Sequence, residues 1–349
     1  METAHLLFTI FYAFLAYLSC GSKYSFLRNP FVYVAMVLPM ILFTALRPVD
    51  ITRDDVGYMY IVDNIDVVKV QRDYLWFWIV DGLLNIWNDY RIVLFFSSAI
   101  LSLKLLIFYR INKKNALMVS FFYFAVFWQI HDLTQLRVSF AVLFFILYLY
   151  YEYLGKNIKY FFILVSPAAH MQAASNYLIP LLPRIFSNKH FYYFSFLILF
   201  LLINIDFIPD PKSLFYFFNL DALNLQNVEH LLSSYNILKE LGVYDDGFKT
   251  PIIAILFYSL FYLAILIDCK SIENYRYKKR LISIITYSVY LGFCFSFFSD
   301  IFVRFYEYYL VAIMFYLLIT NNRYSQYILL MIGILYFLKF NIFWDILTW

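Results

Sequence analysis

Long apolar runs separated by short polar clusters dominate the chain. The runs lie near 4–20, 30–46, 92–109, 116–130, 138–151, 191–208, 252–268, 281–299, 305–319 and 326–343. An α-helix needs about 20 mostly apolar residues to cross a bilayer. The runs are continuous rather than alternating with period two, so they predict spanning helices and not a membrane β-barrel. The stretch 158–185 is ambiguous. As one helix it is long and holds Pro167 and His170 at its middle. As two short spans it turns at 166–172, with His170 near the tip.

Loop charge separates these two threadings. With a hairpin, loops 21–29, 110–115, 152–159, 184–190, 269–280 and 320–325 share one side and hold 15 Lys and Arg. The opposite loops hold 10, over longer stretches, together with most of the 23 Asp and Glu. A single helix would place Lys278, Lys279 and Arg280 on the side of the acidic 47–91 segment. The positive-inside bias therefore favours the hairpin. The expected fold is an all-α polytopic membrane protein with about twelve spans, forming one transmembrane domain over 1–349 with both termini outside. Its two long outer loops are 47–91 and 209–250. The first contains the Trp-rich segment 74–87, which predicts helices lying in the interface. The first span lacks a basic leader and reads as a retained helix rather than a cleaved signal.

Composition agrees with this picture. The chain is 64% hydrophobic and 14% charged, where a soluble domain carries about 25% charged residues. Its net charge of +4 is modest and contains no long basic run, so a nucleic-acid partner is not expected. Cys20, Cys269 and Cys294 have no paired spacing and read as apolar filler. The abundant Phe and Tyr (41 and 34 residues) read as packing and lipid-facing surface.

Four polar segments sit at span edges and thread onto one face. The first runs from Leu46 to Tyr58 and holds Arg47, Arg53, Asp54 and Asp55, with Pro48 ending the preceding helix. Its arginines suit bidentate phosphate binding, and its carboxylates suit sugar hydroxyls; internal ion pairs in a solvated loop are the plainer reading. The second holds His131, Asp132, Gln135 and Arg137. Arg137 opens a span, where the helix dipole disfavours a cation. It therefore calls for an anionic partner, either Asp132 or a ligand phosphate. The third surrounds His170 with Ala168, Ala169, Ala173 and Ala174, small residues that allow close approach. A histidine at membrane depth is a candidate proton acceptor. The fourth holds Asp300, Arg304, Tyr306 and Glu307, with ion-pair spacing at i,i+4 and i,i+3.

No nucleotide-binding, zinc-protease, CxxC or nucleophile-elbow motif occurs. A donor that carries its own leaving group, such as a lipid-linked diphosphate, meets that condition. No cofactor is expected, and metal-independent chemistry is expected because arginines supply the positive charge.

Together the segments resemble the EpsG-like branch of Wzy-type polysaccharide polymerases. The resemblance rests on Leu46-Arg47 followed by Asp54, Asp55 and Tyr58; on Gln135, Arg137 and Ala141; on His170-Met171-Gln172-Ala173; and on Arg304, Tyr306 and Tyr309. It covers roughly 40–310. The chain departs from the pattern at Val138-Ser139, at Arg53 and in its three aspartates. The resemblance implies a GT-C-like fold in the bacterial inner membrane. It also implies polymerisation of undecaprenyl-diphosphate-linked repeat units at the periplasmic face, with lipid-linked donor and acceptor as partners. A flippase and a chain-length regulator are possible companions. In that scheme His170, Asp54 or Asp55 takes a proton. Arg47, Arg53, Arg137, Arg304, Tyr58, Gln135, Tyr306 and Glu307 hold substrate. The alternatives are a lipid-linked oligosaccharide flippase, a GT-C transferase using a polyprenyl-phosphate sugar, and a non-enzymatic scaffold.

Overall fold

Asn29 begins an apolar helix by accepting the Phe31 amide on its side chain at 2.9 Å, and Pro30 takes the first helical position. This is a standard start, because the proline lacks only an amide hydrogen that the helix could not use there. The helix, α1 (Pro30–Leu46), stops where Arg47 turns extended before Pro48, as a residue preceding proline prefers. The computed structural model containing it describes residues 25–49, 52, 54–68, 73–182, 260, 263–264, 275–295 and 308–338. The spans expected at 4–20 and 191–208, most of that at 252–268, and the loop 209–250 lie outside the described residues.

Among the described residues all regular structure is helical. After α1 come α2 (Asp55–Asp63) and α3 (Tyr74–Leu84), short helices in the first polar segment. Next are α4 (Arg91–Ile111), α5 (Ala116–Tyr123) continuing as a π-helix over Phe124–Thr134, and α6 (Leu136–Tyr153). Three helices are long and apolar enough to cross a membrane: Arg91–Ile111, Ala116–Thr134 and Leu136–Tyr153. They coincide with the runs at 92–109, 116–130 and 138–151. Helix α6 closes on Gly155, whose φ of 68° lies in the left-handed region that glycine enters without strain.

The chain then rises as α7 (Lys159–Ala169) and breaks at His170, whose backbone is extended. It returns as a 3-10 helix, Met171–Leu181. Two cross-links show the reversal: Asn176 donates to the Ser166 hydroxyl at 2.9 Å, and the Tyr177 hydroxyl donates to the Leu164 carbonyl at 3.1 Å. Further on are α8 (Tyr275–Phe295), α9 (Ala312–Ile319) and α10 (Arg323–Leu338).

Contacts at one end of the bundle join loops that are far apart in sequence. The Tyr109 hydroxyl donates to the Arg28 carbonyl, and Asn112 and Asn115 donate to carbonyls at Leu317, Leu318 and Thr320. Glu152 lies 3.7 Å from Lys159 and 3.8 Å from Arg280. Arg280 also donates to the carbonyls of Ile179 and Leu182. Arg28 and the basic loops 110–115, 152–159 and 320–325 thus meet at this end, together with Arg280. Both arms of the hairpin start and finish there. The core is densely aromatic, with Tyr33 stacked on Tyr109 and Tyr151 stacked on Phe162.

Candidate functional site

The opposite end gathers the C-termini of α1 and α7, the N-termini of α3, α4 and α6, and helix α2. Two charge constellations form there, and a third lies deeper.

Arg47 and Asp55 make a closed pair. The guanidinium donates to both carboxylate oxygens, at 2.5 and 2.7 Å, and to the Leu133 carbonyl at 2.9 Å. The same carboxylate accepts the Thr52 amide at 2.8 Å and the Tyr90 hydroxyl at 2.9 Å. Neither side chain has any exposed surface. Burial works to raise the Asp55 carboxyl, but Arg47, the Thr52 amide and Tyr90 together hold it below the usual carboxylate range. In this geometry both charges are spent on each other, and the pair staples the first polar segment onto the π-helix.

The second constellation is open. Asp73, just before α3, accepts from Arg137 Nη1 at 3.0 Å and bonds His170 Nδ1 at 3.0 Å, both through Oδ2. Its Oδ1 accepts the Met171 amide at 2.8 Å. One carboxylate therefore joins the start of α6 to the tip of the hairpin. Its own side chain is 3% exposed, whereas Arg137 is 31% and His170 15% exposed. Burial works to raise the Asp73 carboxyl, yet His170, Arg137 and the Met171 amide hold it below the usual range. The Tyr58 hydroxyl accepts the Arg137 amide at 3.4 Å, and the guanidinium lies 5.8 Å from the Tyr58 ring centre. Such a cation–π contact strengthens as water is excluded. Tyr58 in turn packs on buried Trp76 of α3. The His170 ring lies nearly parallel to Tyr308, 17° between planes and 6.4 Å between centres.

The third constellation is wholly buried. Lys104 of α4 donates to Asp132, Tyr123 and Ser139 at 2.8, 2.9 and 2.7 Å. Asp132 also accepts the Tyr123 and Ser139 hydroxyls at 2.5 and 2.6 Å. Lys104 and Asp132 have no exposed surface.

The structure thus brings Arg137, His170 and Tyr58 together. Gln135 holds the N-cap position of α6, two residues before Arg137, with no side-chain cap hydrogen bond, and is buried. Asp54 sits just before α2, half-buried, with its charge felt at Tyr58 and Arg137. Arg47 and Asp55 form the separate closed pair. Arg53, Arg304, Tyr306 and Glu307 lie outside the described residues, although the adjoining Tyr308 reaches His170. The anionic partner required by Arg137 is Asp73 and not Asp132, which is engaged by Lys104. Sequence reasoning passed over both Asp73 and Lys104. A lysine in the middle of an apolar span was a readable signal; one acid among several in a loop was not.

A family model, EpsG, matches residues 30–348, nearly the whole chain. The chain belongs to the EpsG family. This is a family of Wzy-like polysaccharide polymerase-type membrane proteins. No curated protein and no solved structure matches the chain. The EpsG match spans all three constellations and includes the hairpin.

Proposed function

We propose that this EpsG-family protein polymerises undecaprenyl-diphosphate-linked oligosaccharide repeat units, at the periplasmic face of the bacterial inner membrane. The bundle is proposed to have about twelve spans and a GT-C-like arrangement, with the basic loops on the cytoplasmic side. The observation that carries this reading is the convergence of a part-exposed arginine and a part-exposed histidine on one buried carboxylate. It lies at the end of the bundle away from the basic loops.

A diphosphate leaving group needs positive charge where its own negative charge develops, and preorganised donors are the largest source of such stabilisation. Arg137 is proposed to take that part. The acceptor hydroxyl needs a proton acceptor near neutrality, and an imidazole fits. His170 is proposed to take that part. Arg304, Tyr306, Glu307, Arg53 and Asp54 are proposed to complete the substrate cradle. Arg47 and Asp55 are proposed to shape it from behind.

Full-length R137A and H170A variants, matched for membrane level, test the reading in cells that depend on this protein for polymer. Surface glycan should collapse to single repeat units, with polymerisation slowed at least ~100-fold. Wild-type chain length in both variants would end it. Accumulation of repeat units that never reach the outer face would instead favour a flippase.

A further inference from the structure

We infer that Asp73 is a positioning residue for this reaction, holding His170 so that Nδ1 carries the ring hydrogen and Nε2 accepts the proton. The inference rests on the polymerase reading above and assigns a role to a residue in no recognised motif.

Three observations converge on it. Asp73 clasps the hairpin tip at two points, the His170 ring and the Met171 amide, so both the ring and its backbone are fixed. The same carboxylate reaches Arg137, which sets the distance between proton acceptor and phosphate binder. Finally, Asp73 has a φ of 53° and is the one non-glycine with positive φ among the described residues. Few residues other than glycine, asparagine and aspartate enter that region, and one that is held there persists where the surrounding structure demands it. Here the demand is visible. The Asp73 carbonyl accepts the Trp76 and Phe77 amides to start α3, and Trp76 is fully buried. The left-handed turn lets one residue both begin that helix and direct its carboxylate at the hairpin.

An ionised carboxylate can only accept, so His170 Nδ1 must be the donor. In the neutral ring the lone pair then sits on Nε2, the same division of labour that an aspartate imposes in hydrolase triads. The step balances as follows. The acceptor hydroxyl oxygen bonds to the anomeric carbon of the donor, and the carbon–oxygen bond to the diphosphate breaks. The electron pair leaves on the diphosphate beside Arg137. The hydroxyl proton moves to Nε2, and Asp73 stabilises the resulting imidazolium until it releases the proton to water.

The test uses full-length protein in lipid nanodiscs, with lipid-linked repeat units purified from cells that lack the polymerase. D73N is the informative variant, because asparagine tolerates the left-handed region and keeps the shape while losing the charge. Its turnover should fall at least ~100-fold, with the acceptor KM within about threefold. D73G, which adopts the left-handed turn freely but carries no side chain, should be no more active than D73N. Nitrogen-15 spectra, with His170 assigned by difference from H170A, should show the Nδ1–H tautomer in the wild type and its loss in D73N. D73N turnover within about threefold of wild type while H170A is inactive would overturn the role of Asp73 alone. So would a wild-type His170 protonated at Nε2, a result that stands even if D73N fails to accumulate. Activity retained in both H170A and R137A would instead bring down the polymerase reading of this site.

Discussion

A buried carboxylate is stable as an anion only if its partners outweigh the water it has lost. Asp55 shows the accounting at residue scale: four hydrogen bonds from Arg47, Thr52 and Tyr90 meet its two oxygens. Asp73 reaches the same state with Arg137, His170 and the Met171 amide. Both carboxyls are held below their ordinary values, so the unfolded chain takes up protons on them first. The stability they contribute is complete above the unfolded carboxylate range, and it drains away as pH falls through their folded values. Detergent-solubilised protein should therefore keep a level melting temperature from neutrality down to roughly pH 5 and lose it progressively below. D55N leaves Arg47 buried without its counter-charge, a loss of about 3–5 kcal/mol. It should lower the plateau and flatten the acid slope, as read from melting curves against pH. A D55N curve that overlays the wild type would show that the pair contributes nothing.

At the scale of elements, the π-helix and its lysine explain how the site end is built. Eleven residues, Phe124–Thr134, run in π geometry, and the last turn closes with the Gln135 amide on the Ile130 carbonyl at 2.8 Å. Such wide turns are rare and concentrate at functional sites. This one delivers Leu133 to Arg47 and Asp132 to Lys104, and α6 starts immediately afterwards with Arg137 in its first turn. Lys104 binds the π-helix to α4 and, through Ser139, to α6. A buried ion pair is weak evidence of net stability, but breaking one partner leaves a stranded charge. K104M should therefore destabilise by about 3–5 kcal/mol, and K104M/D132N should recover at least half of that loss. Melting of the single and double variants measures the coupling directly. Additive losses would mean that Lys104 and Asp132 do not depend on each other.

The spans themselves were legible, because length and apolar composition survive any detail of packing: 92–109, 116–130 and 138–151 all became helices. The π geometry was not, since shifting each hydrogen bond by one residue leaves composition unchanged. Arg137 and His170 were legible as candidates because each is out of place by a local rule, one at the wrong end of a helix and one at membrane depth, and the structure brings the two onto one carboxylate. Asp73 breaks no rule in one dimension. Its meaning comes from a left-handed turn and from contacts 64 and 97 residues away.

For the whole molecule, the two ends differ in kind. One end joins basic loops through Arg280, Glu152, Asn112 and Asn115. The other carries Arg47, Asp55, Asp73, Arg137 and His170. Cysteines introduced at exposed Lys113 and Lys156, and at exposed Asn88, report this in a background with the three native cysteines replaced. An impermeant thiol reagent added to intact cells should label position 88. Positions 113 and 156 should react only after the membrane is opened. Equal labelling of all three in intact cells would refute the assignment of sides.

The hairpin has a consequence for how such a protein can change over evolutionary time. Its two arms, Lys159–Ala169 and Met171–Leu181, begin and end at the same end of the bundle. Removing it, lengthening it or exchanging it for another hairpin therefore leaves the parity of every later crossing untouched. The direction in which the rest of the chain is threaded is thus independent of the hairpin's length.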